Sequence, residues 1–245
     1  MNILIIGDSW GVPNYYGSPG VEPEYHTEFL LKELGYNVHN CSQNGSSNGH
    51  TIHRANEYFD GFPIKHPACQ YPYNYDIQLQ DTHIKIDWII WFYTEWYRDF
   101  IDPTGYTYVE AEELTCRTYF KMFADLVNRL NCKTAIIGGQ AVVNKMIYDY
   151  VKPNFIIEDW KSVIIGKQLP YPHLLHRGSE VISCLSDDTE VKLKLIENSN
   201  VVLHEMRQAV DLFPDRGHPG IKPHHDLTNL LHRAFIDEVS SIFNL

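Results

Sequence analysis

The feature that most constrains the fold is a series of short apolar runs separated by segments of helical periodicity. The runs cover residues 2–6, 88–93 and 134–139, and none of them carries a charged side chain. Such uncharged, largely β-branched and aromatic runs are typical of parallel strands covered on both faces. Between the last two runs, residues 110–131 place their apolar side chains at helical spacing. The alternation predicts an α/β fold, a three-layer α/β/α sandwich around a mostly parallel sheet.

The remaining segments fit the same alternation, with two exceptions. Residues 36–40 are predicted as a strand, and helices are predicted over residues 24–34, 51–59, 187–212 and 227–243. Residues 60–81 and 142–186 are rich in proline and tyrosine and lack periodicity, so we interpret them as irregular insertions. The 245 residues are expected to form one domain, since a chain of this length can bury a single large core.

Charge and cysteine content narrow the function. The chain has 31 acidic and 20 basic side chains, a net charge of −11, without a basic run. Binding to nucleic acid needs clustered cations, so the sequence argues against a nucleic-acid partner. The five cysteines are widely spaced and include no Cys-x-x-Cys pair, which argues against a disulfide framework and a zinc ribbon.

Targeting signals are not evident in the sequence. No apolar run approaches the roughly 20 residues of a membrane span. The first residues lead directly into a predicted strand, without the basic region and cleavage site of a signal peptide. We therefore expect a cytoplasmic protein without a membrane span; its oligomeric state is left open.

The strongest chemical signal is Gly7-Asp8-Ser9-Trp10-Gly11, which follows the first predicted strand directly. A serine hydroxyl becomes a good nucleophile only with a base in hydrogen-bonding reach, a group that orients the base, and N–H donors for the oxyanion. Asp215 and His218, just before the last predicted helix, offer the orienting carboxylate and the base. Together these residues predict a serine hydrolase.

The motif also fits Gly-x-Ser-x-Gly, the nucleophile elbow of the α/β-hydrolases. In that fold several strands precede the elbow, whereas a single strand precedes Ser9. The position of the motif therefore argues against the α/β-hydrolase fold.

The combination resembles the SGNH, or GDSL-type, esterase and acylhydrolase family, whose fold is flavodoxin-like. Three of the four blocks of that family can be placed along the chain. The resemblance implies that Ser9 is the nucleophile, His218 the base and Asp215 its orienting partner. It also implies that Gly45, in the stretch that begins at Asn40, donates a backbone N–H to the oxyanion hole together with Ser9. No metal or organic cofactor is implied, and the substrate would be a small-molecule or carbohydrate ester.

The third block departs from the family pattern. Gly-x-Asn-Asp is expected after the third strand, but this chain has Phe92-Tyr93-Thr94-Glu95, so Thr94 stands in place of the oxyanion-hole asparagine. Loss of one oxyanion donor typically costs about 10²–10³-fold in rate. Thr94 could donate through its hydroxyl, and Asn44 and Asn48 are nearby alternatives. The substitution also leaves open a binding or structural protein whose catalysis has decayed.

Side chains near the motifs are candidates for contacts with the substrate: Asp8, Trp10, Asn44, Asn48, Glu95 and Trp96. Gly138-Gly139-Gln140, at the end of another predicted strand, could border the same pocket. His224-His225-Asp226 raises a competing metal site, but no His-x-x-x-His pair supports it. Asp226 is more simply interpreted as the N-terminal cap of the last helix.

Overall fold

The computed structural model describes residues 1–12, 25–65, 76–77, 84–100, 102–175, 177–215, 217–236 and 241–242. In this part of the chain six strands form one parallel sheet. They are β1 Asn2–Gly7, β2 Asn37–Asn40, β5 Trp88–Tyr93, β6 Lys133–Gly138, β7 Phe155–Ile157 and β8 Ser241–Ile242. Their order in the sheet is β2-β1-β5-β6-β7-β8. Renumbered within this sheet, the first five strands have the order 2-1-3-4-5 of flavodoxin-like folds. The predicted fold class is confirmed.

Helices cover both faces of this sheet. They are α1 Thr27–Glu33, α2 Asn48–Phe59, α3 Tyr108–Leu130, α4 Trp160–Ile165, α5 Gly178–Cys184, α6 Thr189–Gln208 and α7 Ile221–Ile236. Short 3₁₀ helices cover Trp96–Arg98 and Lys145–Asp149, and β3 Ile64–Lys65 pairs antiparallel with β4 Asp76–Ile77. Among the helices in the described ranges, none is long and apolar enough to cross a membrane.

Two apolar clusters lie on opposite faces of the sheet because successive strand residues point to opposite sides. In β5, Trp91 packs into the cluster that includes Phe120 and Phe123 of α3. Its neighbour Phe92 packs into the other cluster, with Trp160 of α4 and Leu231 of α7. Because these clusters cover both faces of the sheet, a polar site can form only at the ends of the strands.

The start of α3 shows how the local sequence determines where a helix begins. Thr107 accepts a hydrogen bond from the Glu110 N–H, and the Glu110 carboxylate accepts one from the Thr107 N–H, a complete capping box. The helix ends at Asn131, which has a left-handed conformation with φ 47°. The capping box and Asn131 mark the two ends of α3, which was predicted over residues 110–131.

The structure corrects the prediction for residues 142–186. This segment was interpreted as an irregular insertion, yet it supplies strand β7 to the main sheet and helices α4 and α5 to its surroundings. A strand of three residues is too short to produce a recognisable pattern. Of the other predicted insertion, residues 60–81, the structure describes 60–65 and 76–77, and the rest lies outside the described residues.

The start of the last helix was also predicted wrongly. Helix α7 begins at Ile221, so Asp226 lies inside it and not at its cap. The Asp226 carboxylate accepts a hydrogen bond from Lys222 Nζ at 2.5 Å, one helical turn earlier. Pro223 lies in the first turn of α7, where proline is tolerated because its missing N–H would have no helical acceptor. The predicted end at residue 243 was wrong as well, since α7 ends at Ile236 and Ser241–Ile242 pair with β7 as strand β8.

Candidate active site

The turn after β1 holds Ser9 at the carboxyl end of the sheet. The Asp8 carboxylate accepts a hydrogen bond from the Trp10 N–H at 3.0 Å, and the Asp8 carbonyl accepts one from the Gly11 N–H at 3.0 Å. Gly7 precedes the turn with φ +153°, and a Cβ on it would lie 2.6 Å from Cβ of Phe92 on the adjacent strand. The turn therefore sits against β5, where a larger residue at position 7 has no room.

Ser9, His218 and Asp215 form a continuous line of hydrogen bonds. Ser9 Oγ lies 2.8 Å from Nε2 of His218, and Nδ1 of His218 lies 2.5 Å from Oδ2 of Asp215. Because the carboxylate is an acceptor, the proton of the neutral imidazole is assigned to Nδ1, which leaves Nε2 to accept from the Ser9 hydroxyl. This arrangement lets His218 act as a base toward Ser9.

Hydrogen bonds from backbone N–H groups orient the Asp215 carboxylate toward the imidazole of His218. Its Oδ1 accepts hydrogen bonds from the N–H groups of Gly217 at 2.9 Å and His218 at 2.6 Å. The loop that carries both residues is closed by a hydrogen bond from the Gly220 N–H to the Leu212 carbonyl at 2.7 Å. The loop thus presents aspartate and histidine as one preformed unit.

Gly45 lies beside Ser9 in the pocket wall. Its turn, with φ +70° at Gly45, is closed by the Ser46 N–H on the Gln43 carbonyl at 3.0 Å. The Gln43 N–H in turn bonds the Gly7 carbonyl at 3.0 Å, which ties this turn to the end of β1. Within the described ranges the N–H groups of Ser9 and Gly45 have no hydrogen-bond acceptor. Both donors are therefore available to a ligand.

Thr94 does not present its hydroxyl to this pocket, contrary to the expectation for an oxyanion donor. Its Oγ1 donates to Oδ2 of Asp8 at 2.7 Å. Its backbone exchanges two hydrogen bonds with the side chain of Asn48, N–H to Oδ1 at 3.0 Å and Nδ2 to the carbonyl at 2.8 Å. Asn48 is fully buried in this pairing, so it too is directed away from Ser9. Of the predicted side-chain donors, Asn44 alone lines the pocket.

Asp8 is itself buried below the serine. Burial raises the pKa of its carboxyl above the ordinary 3.8, whereas the charge of Arg98 and the hydrogen bonds from Trp10 and Thr94 lower it. Asp8 therefore braces the turn and Thr94 and is not exposed to a substrate.

The pocket at Ser9 has a volume of about 440 Å³, within the range of small-molecule sites. The described residues that line it are Ser9, Asn44, Gly45, Tyr97, Arg98, Phe100, Gln140, Arg177 and His218. Gln140 borders it as the sequence had suggested. Arg98, Phe100 and Arg177 were missed. Arg98 follows Glu95 at the i,i+3 spacing of an ion pair, a usable signal, whereas Arg177 lies in the segment without periodicity.

Besides Asp8 and Asn48, three more predicted substrate contacts lie outside this lining. Trp10 packs edge-on against Trp160, with ring centroids 5.6 Å apart. Trp96 is buried in an aromatic cluster with Tyr108. Glu95 is 2 % exposed and pairs with Arg98. Large apolar rings next to the sheet gain more free energy from packing than from exposure in a cleft, so they lie in the core.

Arg98 is held by groups from three segments. Its Nε donates to Oε2 of Glu95 at 2.7 Å, one Nη donates to Oε1 of Gln140, and the other reaches the Ser46 carbonyl at 3.5 Å. Burial lowers the pKa of Arg98, but the carboxylates of Glu95 and Asp8 outweigh this and raise it above its ordinary value. The guanidinium is therefore charged and oriented at the pocket wall.

The histidines near the last helix do not form a metal site. His224 is buried, with Nδ1 3.0 Å from Oγ1 of Thr27 and its ring centroid 4.3 Å from that of His26. His225 and Asp226 are exposed on other faces of α7, since neighbouring helical residues diverge. In the part of the chain that the structure describes, no group of three His, Cys, Asp or Glu side chains could hold a metal.

Comparisons with known proteins find distant structural likenesses. No protein-family model matches the sequence, and a comparison with curated proteins finds no match. The psychrotrophic esterase EstA from Pseudoalteromonas sp. aligns with 96% of this chain and 97% of its own, at 13% identity and a TM-score of 0.46. A family two carbohydrate esterase from Cellvibrio japonicus aligns with 97% of this chain and 62% of its own, at 10% identity and a TM-score of 0.40.

Proposed function

We propose that the protein is a serine ester hydrolase of the SGNH type that acts by acyl transfer through Ser9. The observation that carries the proposal is the hydrogen-bonded line from Ser9 Oγ to His218 at 2.8 Å and on to Asp215 at 2.5 Å. Nucleophile, base and orienting carboxylate have the mutual geometry that the reaction needs. The substrate is a small-molecule or carbohydrate ester that fits the pocket of about 440 Å³.

The reaction proceeds in two halves. His218 Nε2 takes the Ser9 proton while Oγ forms a bond to the ester carbonyl carbon, and the carbonyl oxygen becomes an oxyanion. The imidazolium, stabilised by Asp215, then gives that proton to the leaving alkoxide as the ester C–O bond breaks. In the second half His218 takes a proton from a water as its oxygen bonds to the acyl carbon. His218 then gives that proton to Oγ of Ser9 as the bond to the acyl group breaks, which releases the acid.

The oxyanion is stabilised by donors on residues that line the pocket. These are the backbone N–H groups of Ser9 and Gly45, together with the side-chain amide of Asn44. Asn44 lines the pocket, and its amide makes no hydrogen bond to any other described residue. We infer that the Asn44 amide is the side-chain donor to the oxyanion, a role for which Thr94 was a candidate, since the Thr94 hydroxyl donates to Asp8.

Hydrolysis of short p-nitrophenyl esters tests this proposal. Ser9→Ala should reduce the rate to near the buffer rate, whereas Ser183→Ala, at an exposed serine on α5, should leave it unchanged. A fluorophosphonate probe should label Ser9 stoichiometrically, and a chelator should leave the rate unchanged. Equal rates for Ser9→Ala and the parent protein would refute the proposal.

A second candidate is a binding protein of the same fold without catalysis. The observation that favours it is the hydrogen bond from Thr94 to Asp8, which removes one side-chain donor from the oxyanion hole. This alternative predicts that the folded protein resists labelling of Ser9 by the fluorophosphonate, and rapid labelling would exclude it.

A further inference from the structure

The pocket at Ser9 reverses the charge balance of the chain. The whole sequence has 31 acidic and 20 basic side chains. Among the described residues that line the pocket, by contrast, two are arginines, Arg98 and Arg177, and none is an aspartate or glutamate. The wall of the site is therefore locally cationic.

Arg98 has donors left for a ligand. A guanidinium carries five N–H donors, and the described acceptors Glu95, Gln140 and the Ser46 carbonyl take one each. The side chain is 16% exposed, so its unused N–H groups are reachable while its position is set by these contacts. Glu95, 2.7 Å from Nε, offsets much of its charge, so Arg98 contributes oriented N–H donors to the pocket.

Arg177 is the second cation in the pocket wall. It is exposed, and in the part of the chain that the structure describes its guanidinium has neither a hydrogen-bond acceptor nor a carboxylate partner. Its backbone has φ 50° and ψ 20°, a left-handed conformation that is uncommon for residues other than glycine. Arg177 lines the same pocket as Ser9 and His218.

We propose that this pocket selects esters that carry an anionic group, a carboxylate in the simplest case, which Arg98 and Arg177 bind. The inference rests on the proposed hydrolysis through Ser9 and specifies its substrate class. Guanidinium donors match carboxylate oxygens in geometry and charge. The net charge of −11 does not outweigh this, because charges beyond about 8 Å are screened at physiological ionic strength.

Matched ester pairs test the inference. 4-Acetoxybenzoate is compared with its methyl ester, and mono-p-nitrophenyl succinate with p-nitrophenyl butyrate, after subtraction of spontaneous hydrolysis. We expect kcat/KM to favour the anionic member of at least one pair by about tenfold or more, and the preference to shrink as salt rises. Equal values within both pairs would overturn the inference.

Variants at Arg177 assign the preference to the pocket. Arg177→Asn removes the charge and suits the left-handed backbone, so the fold is not at risk. It should lower the ratio of anionic to neutral kcat/KM about three- to tenfold, and Arg177→Lys should restore most of it. Arg207→Asn, at an exposed arginine on α6, is the matched control and should leave the ratio unchanged. A ratio that Arg177→Asn does not move would overturn the inference.

Binding to Ser9→Ala, measured by calorimetry, separates this inference from the proposed function. If Ser9→Ala binds 4-acetoxybenzoate more tightly than its methyl ester, and the double variant Ser9→Ala with Arg177→Asn does not, the anion site is supported. This holds even if no ester is hydrolysed, and in that case only the proposed function fails. Hydrolysis through Ser9 with equal binding of both compounds leaves the proposed function intact and sinks the anion site.

Discussion

Thr94 donates its hydroxyl hydrogen bond to Asp8, with Oγ1 2.7 Å from Oδ2, and not toward the pocket that Ser9 lines. This contact joins the end of β5 to the turn that carries the serine. It gives Thr94 a structural role, because it supplies a donor to a carboxylate that is buried at the end of the sheet. The consequences for stability and for catalysis can be measured separately.

Replacing Thr94 by valine should reduce stability more than it reduces the chemical rate directly. The Asp8 carboxylate would lose a buried donor, at a cost of about 1–3 kcal/mol in the free energy of unfolding. For a chain of this size that corresponds to roughly 2–4 °C in Tm per kcal/mol. Thermal unfolding measures the change, and Thr94→Ser is the control that keeps the hydroxyl. An unchanged Tm with kcat lowered about 10²–10³-fold would instead assign the hydroxyl to the oxyanion.

Asn44→Ala, in contrast to the change at Thr94, should reduce the catalytic rate more than it reduces stability. Asn44 lines the pocket and its amide has no described partner, so its loss should lower kcat about 10²–10³-fold with little change in Tm. Ester hydrolysis and thermal unfolding of the same samples give both values. Asn200→Ala, at an exposed asparagine on α6, is the control. A rate that stays within a few-fold of the parent would remove Asn44 from the oxyanion hole.

Asp215→Asn should impair the base while preserving the pocket. The backbone N–H groups of Gly217 and His218 hold the amide oxygen at the position of Oδ1, so the amide NH₂ meets Nδ1 of His218. The imidazole then loses its preferred tautomer and the support of its positive charge. We expect kcat to fall about 10²–10⁴-fold with KM little changed. Asp211→Asn, at an exposed aspartate nearby, should be silent. A loss below about threefold would show that His218 needs no carboxylate.

Because His26 is buried, we expect the folded protein to lose stability at acidic pH. Its Nδ1 accepts the Glu28 N–H at 3.2 Å and its Nε2 donates to the Trp10 carbonyl at 3.3 Å, and burial lowers its pKa to about 4. The unfolded chain takes up the proton near pH 6.5, so stability is complete above that value and is lost as pH falls toward 4. The loss from this group is on the order of 3 kcal/mol. Burial lowers the pKa of His224 as well, with the same sign.

Urea unfolding between pH 7.5 and 4.5 checks this prediction. His26→Asn keeps a good N-cap and should flatten the pH dependence, although His224 retains part of the slope. His204→Asn, at an exposed histidine on α6, should follow the parent protein. Parallel curves for His26→Asn and the parent would contradict the assignment of the buried neutral histidine.

Gly7→Ala should destabilise the sheet end beneath Ser9. The added Cβ would lie 2.6 Å from Cβ and 2.9 Å from the carbonyl oxygen of Phe92, in a core that has no slack. We expect a loss of about 1–3 kcal/mol in the free energy of unfolding from overpacking alone. Gly105→Ala is the control, since it shares a positive φ of 84° but meets nothing within 4 Å. A loss no larger than that of the control would mean that the clash is relieved.

The sequence could predict the parts that depend on local pattern. Uncharged runs such as residues 88–93 indicate buried parallel strands wherever they pair, and the helix over residues 110–131 follows from its periodicity and its capping box. Because the carboxyl ends of parallel strands meet at one edge, Ser9 and Gly45 could be assigned to one site from their positions after strands.

Other parts depend on contacts that no local pattern encodes. Strand β7 has three residues and exists because β6 offers it an edge. Arg177 lines the pocket although its segment has no periodicity, and Trp96 is in the core although it follows a site motif. Burial and long-range pairing decide such cases, and neither can be read from neighbouring residues.

The sequence by itself determined the α/β class and the block order that sets Ser9 against Asp215 and His218, because strand burial and motif position are local properties. Only the tertiary structure decided the short contact between Ser9 and His218, 209 residues apart, and the direction of the Thr94 hydroxyl. The physical reason is that a hydroxyl bonds the acceptor that packing brings to it. At the end of β5 that acceptor is the buried carboxylate of Asp8.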